Sequence, residues 1–192
     1  MGDGAGASSS RATTNGAMYY RSLQGVTLPD APGAFESWGQ PASLARMMRS
    51  YFNIAENCAA RLMRVRWTGK CRPTIYLAWP SVVMIGMAEA TFESSADRRA
   101  IDVAVTGGLL VKPEARPHLV IALERRPAGV QASVDLLDYQ PRGGDSAIVR
   151  WVYRYTQVAM HVVVGRLYLR QLRREWGSRR GYELDHVGPR GI

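Results

Sequence analysis

Apolar residues along this chain change their spacing twice, and the changes divide it into elements. Between 44 and 62 they recur every three or four positions: Leu44, Met47, Met48, Tyr51, Phe52, Ala55, Cys58, Ala59 and Leu62. That period predicts a helix of about twenty residues, with Ser43 as its N-cap and a break near Asn53 as the one irregularity. Between 74 and 139 the period falls to two. It predicts five strands, at 74–79, 82–93, 99–111, 118–126 and 130–139. Ala88, Ala90 and Phe92 then face one way, as do Ile101, Val103 and Val105, then Leu119, Ile121 and Leu123, then Val130, Ala132, Val134 and Leu136. Glu89, Glu93, Asp102 and Glu124 fall on the opposite, solvent face. Gly107-Gly108 interrupts the third strand and suggests a bulge or bend. Helical spacing returns over 148–176, through Ile148, Trp151, Val152, Tyr155, Val158, Ala159, Val162, Gly165, Leu169, Leu172 and Trp176.

Ahead of these lies a Tyr- and Val-containing stretch, 18–28, read as a first strand. Residues 29–41 hold three prolines and two glycines and read as irregular. Residues 1–16 are mostly Gly, Ala, Ser and Thr and read as a disordered tail; 177–192 read as a loose polar tail. The single domain is thus 17–176. It is α+β, a curved antiparallel sheet wrapped by a long C-terminal helix. Inward residues as small as Gly86, Ala88, Ala90 and Ala132 cannot fill the concave side of such a sheet. The sequence therefore predicts a central apolar cavity closed by the last helix.

That order of elements, with VTGGLLV at 105–111, LDYQPR at 137–142 and YRYTQVAMH at 153–161, resembles the helix-grip superfamily. START domains, plant pathogenesis-related class 10 proteins and many polyketide cyclases share that fold. The resemblance covers about residues 18–176. It implies binding of a hydrophobic metabolite, and a biosynthetic cyclase like the small stand-alone cyclases of macrolide pathways that promote cycloadditions. No acid–base pair here matches an aromatase or aldol-cyclase pattern.

Composition narrows the partners. The 192 residues carry a net charge of +9, which raises nucleic acid as a partner. Only Lys70 and Lys112 are lysines, however, and Arg-for-Lys usage beside abundant Ala, Gly and Val is what a GC-rich genome produces. Arg166, Arg170, Arg173, Arg174, Arg179 and Arg180 are read as a solvated helix face and tail. The reading is therefore no nucleic acid. No apolar run approaches a membrane span and no signal peptide is seen, so no membrane partner and a cytoplasmic location are expected. Cys58 and Cys71 read as free thiols. His118, His161 and His186 form no ligand-spaced cluster, so neither metal nor organic cofactor is predicted. Homo-oligomerisation is left open.

Three sets of residues could carry chemistry. Arg150, Arg154, Gln157 and His161 are spaced by four, three and four along the last helix and form one polar stripe. Facing the cavity, they could orient or polarise a substrate carbonyl, and His161 could exchange a proton; otherwise they are a solvated face. Tyr19, Tyr20, Trp67, Tyr76, Trp79, Trp151 and Tyr155 could shape a pocket or simply pack a core. Trp67, beside a Thr68-Gly69-Lys70 turn, and Trp79, before Pro80, could stand at its mouth. Met84, Met87 and Met160, with Met47, Met48 and Met63, could line an adaptable apolar wall. From these, His161, Gln157 and Trp67 are assigned to catalysis. Tyr20, Tyr76, Trp79, Met84, Met87, Tyr155 and Arg154 are assigned to substrate binding. The function read from the sequence is a cyclase that folds an apolar polyketide or polyene and promotes ring closure, with pericyclic cycloaddition favoured. The alternatives are a non-catalytic carrier or sensor of a hydrophobic small molecule, and, behind it, a nucleic-acid or acidic-partner module.

Overall fold

Antiparallel pairing runs unbroken from one edge of the sheet to the other. The computed structural model describes residues 6–14, 17–69, 71–79, 81–142 and 159–176. Its strands are β1 (Gly6–Thr14), β2 (Ala17–Leu28), β3 (Met63–Thr68), β4 (Arg72–Leu77), β5 (Val83–Met87), β6 (Thr91–Ser94), β7 (Arg98–Gly107), β8 (His118–Arg126) and β9 (Gly129–Tyr139). The helices are α1 (Ala34–Trp38), α2 (Pro41–Cys58) and α3 (Ala159–Trp176). In space the strands lie β1-β2-β9-β8-β7-β5-β4-β3, with β6 pairing β7. The first long strand thus sits beside the last, and α3 packs across both while lying against α2. This is an α+β fold consistent with a helix-grip arrangement. Among the described residues no helix is long and apolar enough to cross a membrane.

The sheet bends where β5 meets β7. Only Gly86 opposite Gly107 and Met87 opposite Val105 pair there, with a register shift between them. Gly107 and Gly108 have φ of 146° and 129°, conformations suited to glycine. A Cβ on Gly108 would overlap the Met84 carbonyl. The interruption expected from the glycine pair is therefore a real turn of the chain.

Several elements depart from the sequence expectation. Residues 6–14, expected within an unstructured tail, pair with β2 from Gly6 opposite Gly25 to Thr14 opposite Ala17. An edge strand needs only main-chain hydrogen bonds from its neighbour, and composition does not report those. The irregular 29–41 stretch contains α1. Helix α2 begins at Pro41, with Gln40 as N-cap. Proline suits a first helical position because its missing N–H has no partner there anyway. Ser43 lies inside the helix and accepts a hydrogen bond from Arg46 instead. The helix runs through Asn53 without a break, then ends at Cys58.

The expected strand at 82–93 is two. Between β5 and β6, Ala88 N–H reaches the Ala104 carbonyl of β7 and Ala90 N–H the Cys71 carbonyl in the turn before β4. Phe92, expected inward, is 44% exposed.

One buried cluster joins the sheet to the helices. Ile101, Val103, Leu119, Ile121, Leu123, Val130, Ala132 and Val134 come from the strands, as expected. Leu44, Met48 and Phe52 of α2 meet them, with Tyr168, Leu169, Leu172 and Trp176 of α3. The helix anchors itself through its last residue. Trp176 is fully buried, stacks on Trp38 at a centroid distance of 5.6 Å, and donates Nε1–H to the Pro29 carbonyl at 2.8 Å. Trp176→Ala removes the ring and that hydrogen bond together. We expect it to lower unfolding stability by about 3–5 kcal/mol, read as an earlier midpoint in urea.

Candidate functional site

Alternation along β2 sends Ser22, Gln24, Val26 and Leu28 to the buried side. Two of these four are polar, an unusual choice for a core-facing strand. Across from them α3 presents a face built from residues three and four apart: His161, Gly165, Tyr168 and Leu172. Tyr51 of α2 completes the enclosure.

The members touch. The Tyr51 hydroxyl lies 2.7 Å from His161 Nδ1. Gln24 donates Nε2–H to the His161 carbonyl at 3.2 Å. The Tyr51 and Tyr168 rings meet edge to face at 5.7 Å. Gly165 permits the approach: a Cβ there would come within 2.6 Å of the Gln24 amide. The aromatic contacts continue outward, from Tyr51 to Phe52 at 5.5 Å and from Phe52 to Trp67 at 5.5 Å.

Hydrogen-bonding capacity in this group is not used up. Ser22 Oγ, Gln24 Oε1, His161 Nε2 and Tyr168 Oη are buried with no partner among the described residues. A buried polar atom left so costs about 1–3 kcal/mol, and such atoms are uncommon in folded proteins. Part of the His161 residue meets solvent, yet its Nε2 does not.

Burial also sets the protonation states. It pushes the His161 ring down to about 4, because an imidazolium would be stranded without water. It raises the Tyr168 hydroxyl far above its ordinary value, with smaller contributions from the negative charges of Glu175 and ionised Tyr51. At neutral pH the ring and the phenol are both uncharged. A neutral ring that accepts the Tyr51 proton at Nδ1 carries its own proton on Nε2. In that tautomer the group has two neutral donors, His161 Nε2–H and Tyr168 O–H, with an acceptor on Gln24 and the Ser22 hydroxyl on the same side of β2. It can hold and polarise a carbonyl or hydroxyl. Among the described residues no charged side chain is hydrogen-bonded to His161, Tyr168, Gln24 or Ser22.

The residues assigned from sequence are distributed unevenly around this centre. His161 stands in it. Trp67 lies at the far end of the aromatic run, half-buried, with the Arg49 guanidinium 5.1 Å from its ring. Met87 is buried in the core and Met84 half-buried near the bend. Tyr76 stands opposite Arg64 on the outer side of the β3–β4 pair, with Arg66 over its ring at 4.9 Å. Trp79 is 85% exposed in the loop after β4. Neither Tyr76 nor Trp79 is brought to His161. For Tyr20 the backbone alone is described, paired with Tyr139. Arg154, Tyr155 and Gln157 lie outside the described residues.

The sequence reading missed Ser22, Gln24, Tyr51 and Tyr168 as site residues. Tyr51 falls on the apolar stripe of its helix. A polar pair at alternating positions of β2, and a glycine within a helix, were the available signals. An open cleft of about 180 Å³ elsewhere, lined by Glu36, Gln40, Phe92 and Arg99 among others, contains none of these groups.

No protein-family model matches the chain, and no curated protein matches it. Among solved structures it is similar to an uncharacterized protein from Rhizobium leguminosarum, at 11% identity and a TM-score of 0.38 over 86% of this chain and 98% of that one. It is also similar to CalU16 from Micromonospora echinospora, at 10% identity and a TM-score of 0.38 over 93% of this chain and 94% of that one. Likeness at this level carries nothing about function.

Proposed function

We propose that this protein is a cyclase-type biosynthetic enzyme. It takes up an apolar polyketide or polyene bearing a carbonyl and promotes its intramolecular ring closure, with pericyclic cycloaddition favoured. The observation that carries the reading is the set of sealed, unpartnered polar atoms on His161, Tyr168, Gln24 and Ser22. A ligand carbonyl placed among them would satisfy donors that no described residue satisfies. The apolar chamber belongs to the proposal, between β2, α2 and α3.

The chemistry follows from neutrality. A cycloaddition transfers no proton to the protein, so it needs no charged acid or base. Holding a flexible chain in a near-attack conformer can remove up to about 7–11 kcal/mol of the barrier in favourable cases. Hydrogen bonds from His161 Nε2–H and Tyr168 O–H to a conjugated carbonyl would withdraw electron density and assist further. Trp67, through Phe52 and Tyr51, would wall the apolar end. Gln157 is assigned on its spacing from His161 alone.

The same neutrality favours a second reading, a carrier or sensor that binds the molecule unchanged. Turnover separates the two. The enzyme releases a product isomeric with its substrate, detectable by mass spectrometry and chromatography, while a carrier returns the input. Substrate loss at equal rates with and without protein contradicts the enzyme reading.

Tyr168→Phe tests the site itself, since it deletes one unpartnered hydroxyl and keeps the ring. Unliganded stability should stay level or rise by about 1 kcal/mol, while ring closure or ligand affinity falls about ten-fold. Calorimetry and a turnover or ligand-binding assay read the two effects.

Proton linkage supplies a second check. The folded pKa of His161 is depressed, to about 4 against an ordinary 6.5. Below 6.5 the unfolded chain takes up a proton that the folded protein refuses. The contribution is therefore complete above about pH 6.5 and is lost as pH falls toward 4, by up to about 3 kcal/mol. Urea unfolding across that window should show the loss, and His161→Gln should flatten it.

A further inference from the structure

The longest apolar exposure among the described residues lies at the end of the β3–β4–β5 strands. Leu62 is 67% exposed, Trp79 85%, Leu109 50%, and Val82 and Val83 39% each. They are neighbours through the main chain. Ala78 N–H bonds to the Leu62 carbonyl, Leu77 N–H to the Val82 carbonyl, and Leu109 N–H to the Val83 carbonyl. Trp79 therefore stands in the β4–β5 hairpin loop, whose flanks are aliphatic. The backbone here is held unusually. Ala60, Arg61 and Ser81 have φ of 49°, 61° and 65°, values strained for residues with a Cβ.

A cationic collar surrounds the tip. Arg61, Arg64 and Arg142 are exposed and Lys112 is partly so. Lys112 and Arg142 are tied to this pole by main-chain bonds to Gln140 and Leu110. Among the described residues none of the four forms a salt bridge. The nearby carboxylates are Glu56, which accepts the Val65 N–H, and the exposed Glu114 and Asp138, so the four cations outnumber them by one.

We infer that this tip docks the protein onto an anionic lipid bilayer, with Trp79 and its aliphatic flank entering the interface and the collar meeting the headgroups. An indole and branched aliphatics beside Arg and Lys are the chemistry of interfacial anchoring. An exposed indole at a hairpin loop can enter a lipid interface without a matching groove, which a protein partner would need. The sequence expectation of no membrane partner rested on the missing apolar span; peripheral docking needs none. The inference does not depend on the proposed function. It does add a meaning, because Trp176 at one end of α3 stacks on Trp38 before α2 while His161 meets Tyr51 further along α2. The His161 end of α3 thus lies toward the same pole as the tip.

The full chain, mixed with phosphatidylcholine vesicles with and without phosphatidylserine, provides the test. We expect sedimentation with the anionic vesicles, at least about ten-fold weaker at high salt or without phosphatidylserine. Brominated lipid should quench a component of tryptophan fluorescence that disappears in Trp79→Phe. Trp79→Ser and Val83→Ser should each weaken binding about ten-fold without altering the circular dichroism spectrum. The inference is overturned by failure to sediment with anionic vesicles. It is equally overturned by binding that ignores Trp79→Ser, or by a tip that proves to mediate self-association instead, seen as a mass change in Trp79→Ser without any lipid binding.

Discussion

The missing side chain at Gly165 lets the Gln24 amide lie directly against the backbone of α3. That approach fixes how deeply the helix sits on β2, and the depth decides what water can reach. His161 and Tyr168, one turn to either side of Gly165, are carried into the interior with it. Trp176 locks the far end of the helix against Trp38 and the Pro29 carbonyl. Desolvation then does the rest: the imidazole is held neutral, the phenol keeps its proton, and four polar atoms lose water without gaining partners. A larger residue at 165 would lift the helix and return those groups to solvent.

Unsatisfied polarity in a well-packed interior is costly, and neighbouring choices show that the fold does not require it. Val26 and Leu28 continue the strand position occupied by Ser22 and Gln24, and both are buried apolar residues. Leu169 and Leu172 do the same beside Tyr168. An apolar set at 22, 24 and 168 would pack with less penalty. The polar set is consistent with selection for something other than stability, which is the ground on which a ligand-binding role is proposed. The surface shows a parallel economy. Large apolar side chains are mostly inside, yet five of them gather around one hairpin and a ring of cations.

Much of the architecture was legible in the chain. The strands at 118–126 and 130–139, with their inward residues, follow from simple alternation because one face is buried and the other wet. What failed had local causes. Met63, Val65 and Trp67 alternate with Arg64, Arg66 and Thr68, which is a strand pattern. It was hidden because the helical stripe could be extended through Ala59 to Leu62. The cut between β5 and β6 is made by hydrogen bonds from Ala88 to Ala104 of β7 and from Ala90 to Cys71 in the turn before β4, and no alternation within 82–93 encodes those. His161 was legible as a polar position on the last helix. Its burial was not, since the residues that bury it come from β2 and α2, far away in sequence. Tyr51 and Tyr168 were invisible as polar groups for the reason that tyrosine fits an apolar stripe equally well.

The central claim is that α3 seals a neutral imidazole against Tyr51. Nitrogen-15 NMR of the His161 ring tests it most directly, because the two ring nitrogens report tautomer and charge separately. The account predicts a single neutral tautomer, protonated at Nε2, that persists as pH falls well below 6.5 and changes only near 4. A ring that titrates at its ordinary value, with both nitrogens exchanging freely, would contradict it.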